Sequence, residues 1–126
     1  MTLVAGRALI ASLFLVAGVR KMMFFAPQVA YFTKLGFPAP EFFTILAIII
    51  EVVGGLALLI GFKTRWTAWL LALFVVIATA MAHRFWEFPD AAYVAQMNNF
   101  LKNLAVIGGL LFVASFGPGR LAVDKG

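Results

Sequence analysis

Four long apolar stretches, each nearly free of charge, constrain this chain more than any other feature of its sequence. They cover about residues 2–20, 42–62, 66–83 and 97–116. A helix needs about 20 apolar residues to cross the hydrocarbon core of a bilayer. The stretches are continuous rather than alternating between polar and apolar, which favours helices over the strands of a membrane barrel. The sequence therefore predicts an all-α integral membrane protein, folded as an up-down bundle of four transmembrane helices.

The composition excludes an ordinary soluble domain. Of the 126 residues, 64% are hydrophobic and 12% are charged, whereas a soluble domain is about half apolar and a quarter charged. A chain this short has too little interior to bury so much apolar surface, so the surplus must face lipid. We expect a single domain over residues 1–126. Arg20 and Lys21 directly follow the first stretch as at a membrane exit, so we expect it to be retained rather than cleaved as a signal peptide.

The charges and the absence of cysteine narrow the chemistry further. The net charge of +5 comes from basic residues at the ends of the apolar stretches, a pattern that indicates anchoring at lipid headgroups and no nucleic-acid partner. There is no cysteine, which excludes disulfides and thiolate metal sites within the chain. His83 is the single histidine, and one histidine makes neither a zinc site nor a bis-histidine haem site. We therefore expect no metal.

Two connections shape the predicted topology. Residues 27–36 begin with a proline and end with a glycine, which predicts a helix too short to span and therefore lying flat at the interface. Gly61 to Arg65 form a tight turn, so the second and third spans are expected to be antiparallel neighbours. The basic residues Lys63 and Arg65 in so short a loop favour the cytoplasmic side, and both termini are expected on that side with them.

A series of short motifs extends along nearly the whole chain. They are Gly6-Arg7, Lys21, Gly36 with Pro38, Glu51 with Gly54-Gly55, Gly61 with Thr64-Arg65, His83 with Phe85-Trp86, Phe100-Leu101-Lys102-Asn103, Gly108-Gly109 and Gly117-Pro118-Gly119. In this order and spacing they resemble the DoxX family of small bacterial membrane proteins. The resemblance implies a four-helix protein of the bacterial inner membrane.

The same resemblance bears on function. The family takes its name from a small subunit of a terminal quinol oxidase linked to thiosulfate oxidation. Other members are associated with oxidative-stress defence through partner enzymes. The resemblance therefore implies a partner oxidoreductase and a quinone as ligand, although most members have no established activity.

Glu51 is the most informative residue because it lies near the middle of the second apolar stretch. An ionised side chain at the centre of a span costs about 2.5–3.5 kcal/mol. We therefore expect Glu51 to face the bundle interior, paired with a cation or protonated. The spacing of three to four residues places Thr44, Ala47, Gly55 and Leu58 on the same helical face, where small residues allow another helix to approach closely.

Two cations are expected to reach Glu51 from opposite sides of the membrane. Arg7 lies in the first span and Lys102 in the fourth, beside Asn103. One interpretation is a buried ion-pair network that fixes the register of the helices. The other is a polar pocket that binds a quinone carbonyl or relays a proton, the default for ionisable groups inside a membrane.

A second polar group is expected at the membrane surface. Lys21, His83 and Asn99 share one membrane side in the predicted topology, where they could form a mouth for an anionic lipid or a quinone head. The alternative is helix capping and snorkelling at the interface. His83 could equally be an interfacial residue or a proton donor beside a quinone ring.

The glycine pairs and the lack of a catalytic set complete the prediction. Gly54, Gly55, Gly108 and Gly109 are expected to be sites of close helix packing. No catalytic residue can be assigned, because nothing resembles a Ser–His–Asp set or a phosphate-binding loop.

These observations lead to one functional hypothesis and two alternatives. The hypothesis is an auxiliary or quinone-interacting subunit of a membrane redox or oxidative-stress system, because the chain lacks ligands with which to move electrons unaided. One alternative is a ligand-free scaffold for a partner enzyme. The other is a small-molecule or proton-coupled transporter. It would need to form a homo-oligomer, because four helices are few to surround a transport pathway.

Overall fold

The computed structural model describes residues 2–82, 86, 89–119 and 122–124, and within them the chain is helical and contains no strand. The helices in these residues are α1 (Thr2–Met23), α2 (Phe25–Lys34), α3 (Pro40–Ile60), α4 (Thr64–Ala82) and α5 (Asp90–Phe116). Among them α1, α3, α4 and α5 are long and apolar enough to cross a membrane. The expected all-α membrane bundle with a short helix in the first loop is confirmed.

The helix ends differ from the predicted ones where local chemistry allows the helix to continue. α1 runs past Arg20 to Met23, so Lys21 remains helical. α2 begins two residues before Pro27, which lies in its first turn, where a missing backbone N–H costs little. α5 begins at Asp90, well before the start expected near residue 97. α3 ends at Gly61, whose φ of +74° gives the left-handed cap that glycine favours.

The spans form a closed ring in the order α3, α1, α5, α4. α1 packs mainly on α3, and α4 packs mainly on α5, while the α1–α5 and α3–α4 contacts are less extensive. The core where the four meet is built from Phe14, Leu58, Leu71 and Leu110, with small residues between them. Large apolar side chains elsewhere point outward, among them Leu9 and Phe112, and lipid is the solvent that such a surface requires.

The end of the bundle that holds both termini is fastened by polar contacts. The carboxylate of Asp124 accepts hydrogen bonds from the backbone N–H groups of Lys63 (2.7 Å) and Thr64 (2.6 Å) at the start of α4. These bonds, with that of Thr64 first, hold the pKa of Asp124 below its usual range. Arg65 donates to the carbonyls of Ala114 and Ser115 at the end of α5, where a helix favours positive charge.

Glycines bring α3 close to both of its neighbours. A Cβ on Gly54 would lie 2.7 Å from Leu71 of α4, and one on Gly55 would lie 3.3 Å from the carbonyl oxygen of Ala11 in α1. A Cβ on Gly109 of α5 would likewise lie 3.1 Å from a side-chain carbon of Ile10 in α1. A larger residue would require the Leu71 or Ile10 side chain to shift at Gly54 and Gly109, and would press on the backbone of Ala11 at Gly55.

The expectation for Gly108 is wrong, and another glycine was missed. A Cβ on Gly108 would meet nothing within 4 Å, because this residue points away from the neighbouring helices. At Gly18 of α1, by contrast, a Cβ would lie 2.6 Å from Val52 and 3.3 Å from the Cβ of Glu51. Gly18, and not Gly108, therefore joins Gly54, Gly55 and Gly109 as a site of close helix packing.

Gly18→Leu is expected to lower the free energy of unfolding by at least about 1–3 kcal/mol, because the new side chain would push α1 away from α3. Gly108→Leu is the matched control, and it is expected to be neutral or slightly stabilising because leucine favours helix more than glycine does. The measurement is denaturant-induced unfolding of the purified protein in mild detergent. Equal stability of the two variants would contradict the packing described here.

Candidate functional site

The centre of the site is an ion pair between α1 and α3. Glu51 is 5% exposed, and its two carboxylate oxygens accept hydrogen bonds from Nζ of Lys21 at 2.9 and 3.0 Å. Lys21 lies in the last turn of α1, and its side chain is 21% exposed. Gly18 lies one turn before Lys21 and lets the two backbones approach at this level. The inward orientation of Glu51 is the one that the cost of burying its charge demands.

The partner of Glu51 is a correction to the sequence interpretation. We expected Arg7 to reach Glu51, but Arg7 lies at the opposite end of α1, about 21 Å from Lys21 along the helix axis. It is 3% exposed and donates hydrogen bonds to the carbonyls of Pro118 and Leu59. In the antiparallel pair of α1 and α3, Gly18 lies against Glu51 and Val52, whereas Arg7 lies near Gly61 at the end of α3. Arg7 therefore fastens the chain after α5, and Lys21 supplies the charge expected from Arg7.

The fourth span brings a second cation and an amide toward the same region. Nδ2 of Asn103 donates a hydrogen bond to Oγ1 of Thr79 in α4 at 2.9 Å, and Thr79 is buried. Lys102 precedes Asn103, and both side chains lie on the wall of the cavity that Glu51 lines. Lys21, Lys102 and Asn103 thus share one cavity with Glu51.

These groups lie on the wall of one cavity of about 440 Å³. The volume falls in the range of small-molecule pockets in proteins, about 300–1,000 Å³. Its polar lining comes from Lys21, Gln28, Tyr31, Glu51, Lys102 and Asn103. The remainder is apolar and includes Phe14, Ala47, Ile50, Phe74, Ala78 and Val106. A mainly apolar cavity with a few polar side chains in its wall suits a ligand that has a polar head and is otherwise apolar.

The short helix α2 covers the cavity at the end away from the termini. Tyr31 and Phe32 line the cavity from α2, and Phe32 stacks on Phe37 with ring centroids 4.7 Å apart. Nε2 of Gln96 in α5 donates a hydrogen bond to the Tyr31 hydroxyl at 3.1 Å. Burial raises the pKa of Tyr31, and the hydrogen bond from Gln96 opposes that shift only in part. The tyrosine is therefore a neutral hydrogen-bonding group at neutral pH.

The contribution of α2 to the cavity was not predicted from the sequence. The feature that could have indicated it is the helical spacing of Gln28, Tyr31 and Phe32, which puts all three side chains on one face of the helix. Asn99 is half-buried on α5 but does not belong to the cavity lining. His83 lies outside the residues that the structure describes, so its expected position in a ligand mouth stays a prediction.

The arrangement can offer both kinds of hydrogen bond to a ligand. Lysine and amide N–H groups donate to a carbonyl oxygen, whereas the carboxylate and the amide oxygen accept from a hydroxyl. Such groups act more strongly where water is scarce. In the part of the chain that the structure describes, no three His, Cys, Asp or Glu side chains come together as metal ligands. Hydrogen bonding and charge are therefore the chemistry that these residues provide.

Lys21→Met is expected to lower the free energy of unfolding by about 1–3 kcal/mol, because it leaves the Glu51 carboxylate without its cation. This is less than the 3–5 kcal/mol typical of a fully buried pair, since Lys21 is partly exposed. Adding Glu51→Gln should recover part of the loss, because the stranded charge is then removed as well.

Lys63→Met is the matched control for the lost positive charge, because Lys63 is exposed in the turn before α4. It is expected to change stability by less than about 0.5 kcal/mol. Stability is measured from unfolding curves in mild detergent for the parent, Lys21→Met, Glu51→Gln, the double variant and Lys63→Met. Strictly additive effects of Lys21→Met and Glu51→Gln would show that the two side chains do not interact.

Known proteins bear out the resemblance. The model of the DoxX family matches residues 2–84. The chain is 32% identical to the inner membrane protein YphA of Escherichia coli strain K12, over 98% of this chain and 88% of that protein. It is 35% identical to the inner membrane protein YqjF of the same organism, over 94% of this chain and 86% of that protein.

A more distant relative has a longer chain. The Surfeit locus protein 4 homolog of Schizosaccharomyces pombe is 31% identical over 64% of this chain and 28% of its own length. No solved structure matches the chain. The family model, the two bacterial relatives and the four apolar helices agree, and the chain belongs to the DoxX family as a multi-pass integral protein of the inner membrane.

Proposed function

We propose that this protein is an auxiliary subunit of a membrane redox system and binds a quinone in the cavity between its helices. The observation that carries the proposal is the Lys21–Glu51 pair, which lies at the wall of a cavity otherwise lined mainly by apolar side chains. A quinone matches this pattern, because its ring carries two oxygen atoms and the rest of the molecule is apolar.

Each oxidation state of the ligand finds a partner in the site. A quinone carbonyl accepts a hydrogen bond from Lys21, Lys102 or the Asn103 amide. A quinol hydroxyl donates to the carboxylate of Glu51. Because Glu51 already accepts two hydrogen bonds from Lys21, the pair is held in place before a ligand arrives, and little entropy is lost in ordering it.

The auxiliary role follows from what the sequence contains. There is no cysteine and one histidine in the 126 residues, so the chain has few of the side chains that ligate haem or iron–sulfur clusters. In this proposal the electrons come from or go to a partner oxidoreductase in the same membrane. The protein holds the quinone head where that partner can reach it.

The proposed orientation puts both termini in the cytoplasm. Lys63 and Arg65 lie in the turn on the same side as the termini, and basic residues in short loops favour that compartment. The cavity and α2 then lie in the half of the bundle that faces away from the cytoplasm. A partner would meet the quinone from that half or from within the bilayer.

Glu51→Gln is expected to weaken binding of the quinol form by about ten- to a hundredfold, which corresponds to the loss of one charge-assisted hydrogen bond from the quinol hydroxyl to the carboxylate. The measurement has two parts. Lipids and quinones are extracted from protein purified in mild detergent, and the delipidated protein is then titrated with reduced decylubiquinol under anaerobic conditions.

Glu41→Gln is the matched control, because Glu41 lies in the first turn of the same helix, is exposed and does not line the cavity. It is expected to bind as the parent does. Failure of the parent to retain or bind any quinone would refute the proposal and favour a ligand-free scaffold. Equal binding by Glu51→Gln and the parent would remove Glu51 from the site.

A further inference from the structure

The cavity reaches the outside of the bundle between α3 and α4. These helices meet closely toward their shared turn, where Gly54 lies against Leu71. Leu46 of α3 lines the cavity, as do Leu70, Leu73 and Ile77 of α4, which begin at the level of Leu71 and continue toward α2. The same four side chains are exposed on the outer surface, with exposed fractions from 39% to 58%. Side chains that belong to both surfaces mark an opening in the wall.

The α1–α3 and α4–α5 sides of the cavity are more tightly packed, whereas the α1–α5 contact is no more extensive than the α3–α4 contact. α1 and α3 approach closely at Gly18 and again at Gly55. α4 and α5 make an extensive contact and are joined by the hydrogen bond between Asn103 and Thr79. α2 covers the end, with Phe37 meeting Phe43 of α3 edge to face at 5.6 Å. Of the two less tightly packed sides, the gap between α3 and α4 has an apolar rim, whereas the α1–α5 side includes the exposed Lys102.

The rim of this opening is apolar throughout. Its leucines and isoleucine face the hydrocarbon of the bilayer, since they belong to the membrane-spanning parts of α3 and α4. The polar groups lie deeper, where Lys21 pairs with Glu51. A path from the lipid to these groups thus passes first through an apolar slot and then reaches charge.

We infer that the ligand enters sideways from the bilayer through the slot between α3 and α4, with its head at Lys21 and Glu51 and a single long apolar tail left in the slot. The inference rests on the proposed function and adds the class of quinone, which is one with a linear lipid tail. A cavity of about 440 Å³ has room for the ring and the first part of such a tail. The remainder stays in lipid.

This geometry separates the contributions of head and tail. The tail exchanges one apolar environment for another, so it gains little from the hydrophobic effect on entering the slot. Hydrogen bonds to the head supply the affinity, whereas the slot decides which molecules can reach them. A residue that fills the slot should therefore exclude tailed ligands and spare the ring alone.

Leu73→Trp tests the slot, because residue 73 lies on its rim and tryptophan is much larger than leucine. Two probes are titrated against the protein in nanodiscs, decylubiquinone and the tailless 2,3-dimethoxy-5-methylbenzoquinone. Leu73→Trp should weaken decylubiquinone binding by at least about tenfold, the scale of an overpacked contact. Binding of the tailless ring should change by less than about twofold.

Val76→Trp is the matched control, because Val76 lies on the same helix and is exposed but does not line the cavity. It should bind both probes as the parent does. An equal loss of both probes in Leu73→Trp, or no loss of either, would overturn the sideways route. Binding of neither probe by the parent would instead refute the proposed function, and the route with it.

A second measurement needs no variant. Decylubiquinone that carries a photoreactive diazirine at the end of its tail is bound to the parent protein and irradiated. The labelled peptides should come from α3 and α4, near Leu46, Leu70 and Leu73. Labels confined to α1 and α5 would overturn the inference even if the quinone binds with high affinity.

Discussion

The ion pair between Lys21 and Glu51 is the interaction on which the rest of the site depends. A carboxylate in the middle of a membrane span must have a cation, a proton or water beside it. Here the cation comes from the last turn of α1 at 2.9 Å, and the absence of a side chain at Gly18 lets the two helices come close enough. The pair therefore fixes the position of α1 against α3 and places charged groups in the wall of the cavity.

The two ends of the bundle are built for different purposes. At the end with the termini, Arg7 and Arg65 donate to backbone carbonyls, and Asp124 accepts from the start of α4. These contacts satisfy groups that helix ends leave without partners. At the other end the helices separate around the cavity, and α2 covers it. A firmly fastened base allows the opposite half to remain open enough for a ligand without loss of the bundle.

Much of the architecture could be predicted from the sequence, because a membrane imposes a simple rule on span length. The continuous apolar stretches gave four helices, and the spacing around Glu51 gave the buried face of α3, which includes Thr44, Ala47 and Leu58. What spacing does not give is the neighbour that each face meets. Arg7 and Lys21 lie on the same side of α1, and only the depth at which antiparallel helices pair decides between them.

The other differences between the predicted and the observed site also arise from which neighbour each helix meets in the folded bundle. Gly108 and Gly18 both lie in apolar stretches of the sequence, but of these two only Gly18 faces another helix closely enough for an added Cβ to meet it. Tyr31 belongs to the site because α2 folds back over the cavity, a tertiary arrangement that the hydrophobic pattern of a ten-residue helix does not specify. Lys21 was assigned to the membrane surface because its helix was expected to end near residue 20, whereas the helix continues to Met23 and the Lys21 side chain reaches Glu51.

The most direct test of this account is the distance between Lys21 and Glu51 in a lipid bilayer. Solid-state NMR on protein labelled with ¹⁵N at lysine Nζ and ¹³C at the glutamate carboxyl carbon can measure it. The account predicts a strong dipolar coupling between these two side chains, as Nζ–Oε distances of 2.9 and 3.0 Å require. No coupling, together with contact between the Glu51 carboxyl carbon and lipid acyl chains, would contradict it.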